Sequence, residues 1–474
     1  MKNALKRIFC LGLSTALLCA CFAGCGKKTN SKDDSNNNSA TDALRADLDF
    51  GGETINIVTP PGYGMVNTDG KDSSLVERDK KLEEMGKKYN AKFVVKEGRG
   101  NYWDVMASSI ASGSPAGHIM ITQENFFVEW LKAGAFADLS AAMKKTGIDF
   151  TDSRYNQTVR KYTNINNAQY CFAEAPLNPT GAIWFFNKRI FEENNLGNPY
   201  EMVKNNTWTW ETVENIAKKA LKKKADGTVE QWGISSYMHL DMLSALCASN
   251  GTSIATFDKD GKPQLSLNDP AAMKAFEKMY DWVAVQKIAK VNDGSQNWDA
   301  ALREFTNGNI AMMMGTNKLL QYIEEAAMED DFGIVPPPMG PDAKKHYTGA
   351  GCGQMYFIPK TYEDMADKLL LVIDELYSFG DSSYEDKITE KYISKMRDEE
   401  SMKNYIDMIT KNDNKIHDAY VMTRIDWNSE PSIHSMLGSV LKAEKTPGDA
   451  LEANKVQFQK CMEDMMGDLK VTGK

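Results

Sequence analysis

From residue 53 onward, β-branched strand patterns alternate with helix patterns, and this alternation constrains the fold more than any other feature of the chain. Residues 53–58 are a strand pattern stopped by Pro60, Pro61 and Gly62. Residues 75–89 follow with Leu75, Leu82, Met85 and Tyr89 at helical spacing. Residues 91–95 predict a second strand, 102–111 a second helix, 118–122 a third strand and 126–132 a third helix. A second cycle runs through strand patterns at 182–186, 232–235 and 309–314. Helices are expected between them at 188–194, 208–221, 240–248, 270–285, 298–305 and 317–327, with Thr209 capping the helix that Trp208 and Trp210 open. Residues 332–335 lead into Pro336, Pro337 and Pro338; a last strand is expected at 354–358, and the rest reads as mostly helix. Such alternation implies α/β architecture with largely parallel sheets covered on both faces.

The first 25 residues say where the chain works. Lys2, Lys6 and Arg7 precede an apolar run from 8 to 22, followed by Phe22-Ala23-Gly24-Cys25. That run is shorter than the ~20 residues a membrane span needs and suits a signal-peptide core. The last four residues resemble a bacterial lipobox, so residues 1–24 are expected to be removed and Cys25 to carry a lipid. A looser box ending at Cys21 stays open, as does secretion without a lipid. Residues 25–48, rich in Lys, Ser, Asn and Asp, are expected to form a flexible tether.

Composition then excludes classes. Removing Lys2, Lys6 and Arg7 takes the formal charge from −9 to −12. An acidic surface argues against nucleic acid, which is held through clustered Lys and Arg. Only Cys171, Cys247, Cys352 and Cys461 remain in the mature body, too dispersed for a disulfide framework or a metal-type spacing. They read as buried thiols, with a single bridge left open. Residues 222–230 lack the alternating oxygen ligands of a calcium loop, and no metal or cofactor is expected. The five His are scattered and no Ser-centred elbow or His-Glu-x-x-His occurs.

Several stretches are familiar in their order. Asn187-Lys188-Arg189-Ile190-Phe191, Trp208-Thr209-Trp210-Glu211, the run of Phe305, Gly308, Ala311 and Met312 to Met314, and Gly333-Ile334-Val335-Pro336-Pro337 together resemble a family 1 extracellular solute-binding protein of an ABC importer, the maltodextrin-binding type. The resemblance implies a type II periplasmic-binding-protein-like fold: two α/β lobes joined by crossing strands, with a ligand cleft between them. Residues 49–172 and 340–380 would form lobe 1, and 173–335 and 381–474 lobe 2, with crossings near 170–176 and 335–339. It also implies a monomer that is not an enzyme, whose partners are a sugar or oligosaccharide, the permease subunits and, through its lipid, the membrane. A peptide or polyamine receptor, a glycosidase and an adhesin are the competing readings.

Ligands of open α/β lobes meet the loops at the carboxyl ends of strands. That rule selects Gly62, Tyr63 and Gly64, then Gln123, Glu124 and Asn125; the alternative for the second group is a helix-capping cluster. Sugars need aromatic faces beside carboxylates or amides, which brings in Trp232, Tyr237, Trp298 and Trp427. Gly351, within Gly349-Ala350-Gly351-Cys352-Gly353, would let the backbone approach a ligand, or serve a tight turn between lobes. The candidate ligand-binding residues are thus Tyr63, Glu124, Trp232, Trp298, Gly351 and Trp427.

Overall fold

The computed structural model describes residues 34–62, 65–70, 72–175, 183–292, 299–316, 318–377, 384–426 and 429–473. The expected signal peptide, Cys25, Tyr63, Trp298 and Trp427 lie outside the described residues. No described helix is long and apolar enough to cross a membrane.

The first cycle of the sequence builds a five-stranded sheet. Its order is Ala91–Glu97, Glu53–Thr59, Ile119–Gln123, Gln354–Phe357 and Cys171–Phe172. The first three run parallel; Gln354–Phe357 is antiparallel to both its neighbours. Successive residues point to opposite faces, and both faces are covered. Ile57 and Ile119 join a core with Leu82, Met85, Tyr89 and the helix Ala366–Leu376. Val58, Met120 and Phe357 join another with Tyr102, Met106 and Phe127. Burial on both sides is why these strands read as continuous apolar runs.

The second cycle builds the second sheet, ordered Ala289–Val291, Val229–Ser236, Ile310–Gly315, Ile183–Asn187 and Phe332–Val335. Again the first three are parallel and the fourth is reversed. Trp184, Phe186, Met312 and Met314 face one core, and Ile183, Phe185 and Met313 the other. The helix Trp210–Ala220 begins where Thr209 caps it, accepting from the Thr212 N–H at 3.3 Å. Its buried residues, Trp210, Val213, Ile216, Ala217 and Ala220, form one stripe at helical spacing. Gly233 lets it sit directly on the sheet, since a Cβ there would meet Ala217 Cα at 2.5 Å.

The chain passes between the two sheets more than once. It leaves the first after Phe172 and enters the second at Ile183. On the way back, residues 339–346 still belong to the second body. Met339 N–H donates to Trp208 O at 3.0 Å, Gly340 N–H to Ser249 O at 3.0 Å, and Asp342 N–H to the Asn250 side chain at 2.9 Å. The return therefore begins some residues later than the expected 335–339, because Trp208 and Asn250 hold the segment after the prolines. Thr348–Ala350 then pairs in parallel with Lys415–His417, forming a two-stranded ribbon between the bodies. The helices Tyr384–Tyr392 and Glu399–Thr410 cover one face of the second sheet through Ile388, Tyr392, Met402 and Tyr405. The helix Pro447–Met466 packs on the other through Leu451, Phe458 and Met462, while its last residue, Met466, sits in a core of the first body. The tail continues there: Asn166 N–H donates to Lys470 O at 2.9 Å.

One expectation is corrected. Part of the supposed tether is the helix Asp34–Ala46. Thr41 donates to Thr146 O at 2.8 Å, Arg45 pairs with Asp374, and Leu44, Leu48 and Phe50 join the first core. The spacing of Thr41, Leu44 and Leu48 carried the signal, which the surrounding polar composition hid. The four cysteines of the mature body are free thiols; three are buried and Cys461 is half-buried.

Trp208 is fully buried and its indole N–H donates to Pro336 O at 2.9 Å, so it clamps the segment that follows the second sheet. Trp208→Ala removes both the packing and the clamp. The expected cost is about 3–5 kcal/mol, read as a lowered urea midpoint for unfolding of the second body.

Candidate ligand-binding cleft

The parallel strands of both sheets end toward one another, and between those ends lies a cavity of about 130 Å³. The second body contributes Ser236 and Tyr237 just past the strand Val229–Ser236, and Gly315 and Thr316 at the end of Ile310–Gly315. The first turns of the helix His239–Ser249 add Asp241 and Ser244. The first body contributes Glu124, which follows the strand Ile119–Gln123. The ribbon and the chain beyond it supply Gly349 to Gly351, Asp418 and Tyr420.

Glu124 opens the helix Glu124–Lys132, yet its carboxylate is turned to the ribbon. Oε2 accepts the Cys352 N–H at 2.7 Å, and Oε1 bonds His417 Nε2 at 2.8 Å. The ring of Tyr162 stacks on His417 with centroids 3.6 Å apart. One buried carboxylate thus ties the first body to both strands' ends of the ribbon. Burial pushes the Cys352 thiol well above its ordinary range, and the nearby Glu124 charge adds to this. Burial likewise raises Tyr162 to about 12, helped by Cys352 and Glu124. Gly351 is needed because Glu124 comes so close: a Cβ there would lie 3.2 Å from Oε2. Its expected close approach is therefore made to a protein carboxylate.

Asp418 is bound from the second body. Its oxygens accept the N–H groups of Ile254 at 2.9 Å and Ala255 at 3.0 Å, and the Ser244 hydroxyl at 3.3 Å. Burial nonetheless lifts its carboxyl to about 6, with those backbone donors and His417 opposing the rise. Asp241 faces the solvent of the cleft but is ringed by protein, and desolvation lifts it to about 6 against the Met238 N–H. Tyr237 is raised to about 12 by burial and then by the charge of Asp241. Tyr420 is driven well up by burial, then by Asp241, Asp418, Asp426 and Glu124. Both phenols stay protonated and can donate at neutral pH.

Of the expected site residues, Glu124 and Gly351 are brought to this cavity. Trp232 is not. It lies four residues before Ser236, or roughly 13 Å back along the strand, packed against the core that contains Ile183 and Phe185. It was placed at a strand end, but its strand runs on to Ser236 and turns the residue into sheet packing. Sequence reasoning missed Asp241, Ser244, Thr316, Asp418 and Tyr420. The carboxyl-end rule, carried to the second sheet as it was to the first, would have selected Ser236, Asp241 and Thr316. Asp418 and Tyr420 follow a short ribbon strand that no local pattern announces. Trp208 and Trp210 are buried, as their helix-opening position implied.

A carboxyl whose folded pKa is raised holds a proton that the unfolded chain has lost. Stability then falls as pH rises from about 4 through 6 and stays lower above that. Asp241→Asn removes this loss, since the amide never charges. Because Asp241 is exposed to the cleft, solvent screens most of this effect, and the variant is expected to melt about 1 °C above the parent at pH 7 and level with it at pH 4, in thermal scans without ligand. Equal melting at both pH values would contradict the assignment.

Comparison with known proteins places this geometry. Residues 71–381 match the family model described as bacterial extracellular solute-binding protein. No curated protein matches the sequence. Among solved structures, the Listeria monocytogenes ABC substrate-binding protein Lmo0181, in complex with cycloalternan, superposes with a TM-score of 0.60 at 17% identity, over 88% of this chain and 99% of that one. The cyclic alpha-maltosyl-1,6-maltose binding protein of Arthrobacter globiformis gives 0.61 at 14% identity, over 87% and 99%. UgpB from Mycobacterium tuberculosis, in complex with glycerophosphocholine, gives 0.59 at 14% identity, over 87% and 98%. At these identities the likeness is one of fold. With the family model matched over most of its length, the chain belongs to the bacterial extracellular solute-binding proteins.

Proposed function

We propose that the protein is the receptor of an ABC importer, capturing a sugar or oligosaccharide between its lobes and handing it to the permease. The observation that carries this reading is the chemistry of the cavity wall. Asp241 can take a pair of hydroxyls, while Ser236, Ser244 and Thr316 offer single partners. Tyr237 and Tyr420 offer flat faces for the apolar side of a ring, and phenols that donate. Saccharides occupy or name two of the similar structures, which adds to the reading without deciding it.

The remaining parts of the reading concern place. A lipid on Cys25 would hold a monomeric receptor at the outer face of the membrane, beside its permease. The reading assigns no turnover to the cleft.

A panel of mono- and oligosaccharides tested by thermal shift and tryptophan fluorescence checks the reading. At least one sugar is expected to raise the melting temperature by mass action, without release of product. Replacing both Tyr237 and Tyr420 by Ala is expected to weaken that sugar at least tenfold. Hydrolysis of an oligosaccharide, or indifference to every sugar, would contradict the receptor reading.

A further inference from the structure

The charges of the cleft narrow the solute further. Asp241 and Asp418 stand on the wall of one cavity, with Glu124 behind them, and among the described lining residues there is no Lys or Arg. Asp241 forms no ion pair with any described Lys or Arg. Asp418 is held by three backbone N–H groups and a hydroxyl. Glu124 is the exception, being satisfied by His417 and the Cys352 N–H. The nearest basic side chain on the ribbon, Lys415, is turned away: its ammonium group donates to Ile409 O and to the Asn412 side chain.

A carboxylate that loses its water without gaining a countercharge is costly, and two in one cavity raise the cost through mutual repulsion. Closure of two lobes around a neutral sugar would impose that loss on Asp241, beside an Asp418 that is already buried and hydrogen-bonded. We propose that the solute carries a protonated amine among its hydroxyls, as an amino sugar or an amino-sugar oligomer does, seated on Asp241 with Asp418 beside it. The ammonium group donates to Asp241 and its charge offsets that of both carboxylates. The faces of Tyr237 and Tyr420 add cation–π attraction at the same place. Burial lifts both carboxyls to about 6, a shift that a cation beside them would oppose. This inference rests on the sugar-receptor reading and specifies its ligand.

The test is calorimetric titration at pH 7 with matched pairs. These are glucosamine with glucose, galactosamine with galactose, mannosamine with mannose, and fully deacetylated chito-oligomers with cello-oligomers of equal length. N-acetylated chito-oligomers and spermidine are run beside them. At least one amino sugar is expected to bind ten or more times tighter than its neutral partner. Asp241→Asn is expected to reduce that ratio severalfold, while its melting temperature shows that it is folded. A neutral or N-acetylated sugar binding as tightly as its amino partner overturns the inference and leaves the sugar-receptor reading standing. Binding of spermidine with no sugar sustains the carboxylate seat and overturns the sugar reading. Failure of every compound overturns both.

Discussion

Neither body of this protein can be completed by a continuous stretch of chain, and the rest of the structure follows from that constraint. The strand Gln354–Phe357 lies between Ile119–Gln123 and Cys171–Phe172, so the first sheet closes only after the chain has built the second and returned. The second sheet has its strands by Val335, but its faces are covered by helices from 384 onward. Each body therefore depends on the chain crossing between them. The cavity forms at that crossing, where the carboxyl ends of parallel strands from both sheets meet.

The crossing region is also where polar groups are buried. Glu124 binds the ribbon through His417 and the Cys352 N–H, and Asp418 binds the opposite body through Ile254 and Ala255. These bonds join one body to the ribbon, and the ribbon to the other body. Asp241 stands on the wall of the cavity instead, exposed to the cleft.

Much of the fold was legible because burial on both faces writes itself into composition. Ile57 and Val58, or Trp184 and Phe185, are apolar in succession because each serves a different core. The stripe from Trp210 to Ala220 and the Thr209 cap were equally plain. The helix Asp34–Ala46 was not, since most of its residues are polar. The site was legible in part. Glu124 and Gly351, selected by their place after a strand and in a Gly-rich crossing, line the cavity. Trp232 packs on a core instead, since aromatic character does not tell a sheet residue from a cleft residue. Asp418 and Tyr420 reach the cavity through a ribbon whose partner strands, Thr348–Ala350 and Lys415–His417, are far apart in sequence.

The central claim is that a solute binds between the two bodies and draws them together. Small-angle X-ray scattering during titration with the tightest-binding sugar tests it directly. The account predicts a fall in radius of gyration that saturates at one sugar per chain and is lost when Tyr237 and Tyr420 are both replaced by Ala. Saturable binding that leaves the radius unchanged and survives that double replacement would contradict it.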